Sequence, residues 1–136
     1  MPISYTIDKD RRLVISTGWE RLTFAEVMVH RERFTHDPDF DPAFNQLGDM
    51  SAVTDLEISI DEAKELASRN IFSRQSKRAF VATKPLIFGM LRLMEAYHEI
   101  SPAPEQVGIF HERDEAMKWL DSNEESAGPN LGTTPK

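Results

Sequence analysis

The chain has 136 residues, no cysteine and a formal charge of −7, from 16 basic and 23 acidic residues. That length suits one domain able to bury a core without covalent staples, and the lack of cysteine excludes a disulfide framework, a thiol nucleophile and a cysteine-based zinc site. The acidic balance disfavours a nucleic-acid backbone or an anionic membrane as partner, because like charges repel.

Ile3, Tyr5 and Ile7 alternate with Ser4, Thr6 and Asp8, the period of a strand. Leu13, Val14 and Ile15 form a second apolar run, and Asp8-Lys9-Asp10-Arg11 between them reads as the turn of an antiparallel hairpin. Gly18 ends the second strand in this reading. Thr23 and Glu26 have capping-box spacing, in which a hydroxyl and a carboxylate satisfy free amides at a helix start. Phe24, Val27, Met28 and Phe34 then share one helical face, and Pro38 and Pro42 stop the helix. Phe44 to Asp49 reads as a short third strand, followed by a polar loop.

Ser59 and Glu62 repeat the capping box, opening a second helix with Ile60, Ala63, Leu66, Ala67 and Ile71 as its buried face. Arg78 to Ala82 reads as the fourth strand. Thr83 is placed to cap a third helix, with Pro85 in its first turn, where the missing N–H does no harm. Val107 to Phe110 reads as the fifth strand and Asp114 to Leu120 as the fourth helix. The order β-β-α-β-α-β-α-β-α predicts an α/β domain: a mixed five-stranded sheet with one antiparallel hairpin, parallel pairing elsewhere, and helices packed against it. The domain is expected over residues 1–121. A polar tail with few apolar residues, 122–136, is expected to be disordered. The N-terminus lacks a basic region followed by an apolar run, and no apolar stretch is long enough to span a bilayer, so a cytoplasmic location is expected.

Three features resemble the STAS domain, the family of the bacterial anti-sigma-factor antagonists. They are Asp49-Met50-Ser51-Ala52-Val53-Thr54 at the end of the third strand, the closing run Phe110-His111-Glu112-Arg113-Asp114-Glu115-Ala116-Met117-Lys118-Trp119-Leu120, and the element order over residues 3–120. Within that family the chain is similar to the SpoIIAA-like group, which also resembles the SEC14-like lipid-binding domains. The resemblance implies a STAS-like fold and a regulatory binding role without enzymatic activity. The family's Asp-Ser-Ser-Gly motif, phosphorylated on its first serine, aligns with Glu57-Ile58-Ser59-Ile60. Ile58 cannot accept phosphate, so the usual phosphorylatable serine is missing. Ser59 reads as a helix cap, with modification of its hydroxyl as the alternative.

In that reading the contact surface runs from Asp49 to Glu62. Asp49 and Ser51 shape a loop, Asp55, Glu57 and Ser59 offer polar contacts, and Thr83, Lys84 and His111 complete the same edge of the sheet. The partner would be a protein. The alternative is a carrier or sensor of a lipid-like or other apolar small ligand. Its chamber would hold roughly 300 Å³ or more, lined by Phe72, Phe88, Leu91 and Met94, with Arg92 available to a head group. The apolar third helix could instead form a homodimer face. His30, His36, His98 and His111 have no metal-ligand spacing, so neither metal nor cofactor is expected. No nucleophile elbow, Walker loop or dinucleotide fingerprint occurs, which favours a protein that is not an enzyme.

Overall fold

Hydrophobic alternation and two capping boxes fix the same nine elements in the computed structural model, which describes residues 1–69 and 71–122. They are β1 (Ile3–Asp8), β2 (Leu13–Thr23), α1 (Phe24–Thr35), β3 (Asn45–Glu57), α2 (Ile60–Ser68), β4 (Lys77–Val81), α3 (Pro85–Glu99), β5 (Gln106–Phe110) and α4 (Arg113–Leu120). The five strands form one sheet in the order β1-β2-β3-β4-β5. β1 and β2 are antiparallel, and β2, β3, β4 and β5 pair in parallel. The expected tail lies outside the described residues, apart from Ser122.

The strand order never reverses. Three successive right-handed crossovers in one direction put α1, α2 and α3 on the same face. On that face Val14 packs with Phe34, and Met50 and Ile109 pack with Ile87 and Leu91. The opposite face carries Leu13, Leu47, Ala79 and Val81, covered by Ala116, Trp119 and Leu120 of α4. No helix among the described residues is long and apolar enough to cross a membrane.

Two strands outrun their expected ends. β2 does not stop at Gly18, and β3 does not stop at Asp49. The pair continues in parallel from Trp19↔Ala52 to Thr23↔Glu57. Register shifts flank Gly18 and Glu20, and Glu20 takes a left-handed backbone with φ 58°. Such bulges bend a strand and increase its twist. The expected polar loop from Asp49 is therefore a strand extension, reaching beyond β4, whose last partner on β3 is Asp49.

Both capping boxes form as the spacing predicts. The third helix differs: its N-cap is Lys84, with no side-chain cap bond, and Thr83 does not cap it. Ile60 is 58% exposed rather than buried, because it is the first residue of α2 and lies above the core. Ile71 falls outside α2, half-buried against the Phe34 cluster.

Candidate functional site

The sheet and its three-helix layer do not close completely. α2 packs on α3 rather than directly on the strands. A cavity of about 120 Å³ remains beneath the helices. Its apolar wall includes Leu22, Met50, Phe80, Leu91, Met94 and Ile109. Close packing normally fills the core of a domain this size, so a void larger than several waters needs an occupant or a reason.

The second wall is polar, and its side chains come from every layer. Ser16 of β2 lies 2.8 Å from His30 Nε2 on α1, and Gln46 of β3 donates to Ser16 Oγ at 3.0 Å. Arg78 of β4 donates from Nε to Gln46 Oε1 at 2.8 Å and from Nη1 to Glu105 Oε2 at 3.2 Å. The amide of Gln46 is thereby fixed in orientation. Ser16 Oγ accepts from Gln46, and the imidazole tautomer sets which partner donates between Ser16 and His30 Nε2. Burial first, then Arg31 and Arg33, pushes the His30 pKa down to about 4, so the imidazole is neutral at neutral pH. His98 Nε2 lies 2.7 Å from the Glu105 carbonyl and joins α3 to the strand start.

Arg31 stands apart from this chain of bonds. It is 6% exposed and lines the cavity from α1. Nη1 donates to the Leu66 carbonyl at 3.3 Å, near the C-terminal end of α2, where that carbonyl also accepts from the Arg69 amide and a cation suits the helix dipole. Its Nε has no partner among the described residues. Burial first, then Arg78 and Arg69, pushes its pKa down to about 9, against a pull from Glu105. It stays charged at neutral pH. Two other ions line the cavity, and each has a counterion: Arg78 pairs with Glu105, and Glu95 pairs with Arg92 at 2.9 Å. Burial raises the Glu95 carboxyl pKa against the pull of Arg92.

The residues expected to form a single contact edge divide into two groups. Asp49 and Ser51, in the middle of β3, lie beside Thr83 and Lys84 just past the C-terminal end of β4. Asp49 Oδ1 accepts from the Ser51 hydroxyl at 2.6 Å and amide at 3.0 Å, and Oδ2 accepts from Arg113 at 3.0 Å. Lys84 Nζ donates to the Ser51 carbonyl at 3.1 Å. Burial alone would raise the Asp49 carboxyl; the bonds from Ser51 and Arg113 outweigh it and hold the pKa below the usual carboxylate range. His111 stacks on Phe88 with ring centroids 3.8 Å apart. Asp55 and Glu57 lie farther along the β3 extension, roughly 20 to 26 Å from Asp49 at about 3.3 Å per residue, and Ser59 follows as the cap of α2. Glu57 pairs with Arg21 at 2.6 Å, and Ser59 Oγ accepts from the Glu62 amide as the α2 cap. The sheet order has no reversal, so this edge lacks the crevice that a topological switch point would create.

Of the residues expected around an apolar ligand, Leu91 and Met94 line the cavity. Phe72 belongs to the Phe34 cluster, and Phe88 is the ring under His111. Arg92 is committed to Glu95. Five polar wall residues went unassigned from the sequence: Ser16, Arg31, Gln46, Arg78 and Glu95. Two of them carried a signal. Arg31 occupies the stripe Phe24, Val27, Arg31, Phe34, and Glu95 occupies the stripe Ile87, Leu91, Glu95, His98. A charge at an apolar stripe position marks a polar pocket or a buried pair.

Among the described residues, no cluster of three or more His, Asp or Glu side chains could hold a metal ion. No family model matches the chain, and no curated protein matches it.

Proposed function

We propose that the protein is a non-enzymatic binding module that takes a small ligand into the cavity between the sheet and α1, α2 and α3. The observation that carries this reading is the incompletely filled interior, apolar on one wall and polar on the other. Ligand sites have that composition: mostly hydrophobic lining with a few placed polar groups. The volume of about 120 Å³ falls short of the roughly 300 Å³ that a lipid-sized cargo needs, so the ligand in this reading is small. The resemblance to STAS domains accords with a module that binds rather than catalyses. Ser16 is fully buried and its His30 neighbour is a poor base at neutral pH, which also favours binding over nucleophilic chemistry.

A protein-contact reading has its own support at the strand edge. Asp49, Ser51, Lys84 and Arg113 are cross-linked there into an ordered surface, and Asp55 and Ser59 are exposed beyond it. Substituting Asp55 and Glu57 together should weaken partner capture if this edge is the contact.

Native mass spectrometry of protein purified from its own host tests the first reading. The expected result is an added small mass that disappears when the protein is denatured. A bare chain, whatever its oligomeric state, contradicts a resident ligand and shifts weight to the edge.

A further inference from the structure

We infer that the cavity selects a small carboxylic acid, with its apolar part against Leu91, Met94 and Ile109 and its carboxylate on Arg31. This deepens the preceding proposal and depends on it. Arg31 is the only ion lining the cavity without a counterion among the described residues. A guanidinium offers five donors in a planar fork suited to carboxylate. The bond to the Leu66 carbonyl uses Nη1, while the buried Nε has no partner among the described residues. A buried unpaired cation is costly, and an anion entering beside it removes that cost.

Capping α2 is the other role open to Arg31. It explains the Leu66 bond but leaves the unsatisfied Nε and the neighbouring void without a reason. The charge balance disfavours multiply charged anions: Arg78 is already neutralised by Glu105, so only one uncompensated positive charge faces the space. A singly charged acid therefore fits better than a phosphate ester. Arg31 also borders an open groove of about 240 Å³ with Met28, Glu32, Thr35 and Arg69.

The test is isothermal titration of the full chain with isovalerate and benzoate, each beside its neutral amide, isovaleramide and benzamide. The expected result is binding of at least one acid about tenfold or more tighter than its amide, as for a charge-assisted bond. Arg31→Met should reduce acid affinity by a similar factor and leave amide affinity within about twofold. Equal affinity for acid and amide overturns the carboxylate inference while leaving the cavity as a binding site. No binding of either at tens of millimolar also overturns it, and the native mass measurement then decides the broader reading separately. The acid-against-amide comparison needs only the unaltered protein, so it stands whether or not the Arg31 variant folds.

Discussion

Arg31 reaches from α1 to the Leu66 carbonyl at the end of α2, 3.3 Å away, and is the side chain that ties these two helices across the cavity. The bond is weak beside the cost of burying an unpaired guanidinium. Replacing such a charge with an apolar side chain of similar length is often neutral or stabilising. Arg31→Met should therefore change unfolding free energy by no more than about 1 kcal/mol, or raise it, in urea titration. A loss above about 2 kcal/mol would mean that Arg31 serves chiefly to hold α2.

Glu105 has the opposite standing. Its carboxylate is buried and neutralises Arg78, whose guanidinium also lies over Phe72 and Phe80. Glu105→Ala leaves that guanidinium buried without an anion. The expected loss is about 3–5 kcal/mol, measured by urea or thermal unfolding.

His30 makes stability depend on pH. Its folded pKa of about 4 lies below the ordinary 6.5, so between those values the unfolded chain binds the extra proton. Stability contributed this way is present above pH 6.5 and is lost as pH falls toward 4. From pH 6.5 to pH 5 the loss is about 2 kcal/mol, at about 1.4 kcal/mol per unit. His30→Gln should remove this part of the pH dependence, in urea unfolding at pH 7 and pH 5. An unchanged slope would mean that His30 titrates alike in the folded and unfolded chain.

Gly48 lies under Phe80. A Cβ added at that position would come within 2.4 Å of the Phe80 ring, so the absent side chain makes room for the aromatic floor of the cavity. Gly48→Ala should cost about 1–3 kcal/mol through overpacking. It should also push the ring toward the cavity and weaken any ligand there. A stability loss without an effect on binding would place the ligand elsewhere.

The sequence carried the fold further than the site. Period-two runs, two capping boxes and Pro85 were enough to predict every element and the mixed sheet. The extension of β2 past Gly18 was hidden because Trp19-Glu20-Arg21 has a polar, irregular pattern. Its strand conformation comes from pairing with Ala52 to Glu57, a long-range contact that local pattern does not register. The Thr83 cap failed for a similar reason: the chain enters α3 at Lys84, whose amine is drawn to the Ser51 carbonyl. The cavity was least legible. Its apolar residues read as ordinary core, and its polar wall joins Ser16, His30, Gln46 and Arg78 from four separate segments. Only Arg31 and Glu95, charged residues within apolar stripes, pointed toward it.

The most direct measurement of the central claim is NMR of methionine methyl groups during titration with isovalerate. Met50 and Met94 line the cavity, whereas Met117 projects from α4 on the opposite face of the sheet. Occupancy of the cavity should give saturating shifts at Met50 and Met94 with Met117 unmoved. Shifts confined to Met117, or no saturable shift at either cavity methionine, would contradict a ligand site between the sheet and its three-helix layer.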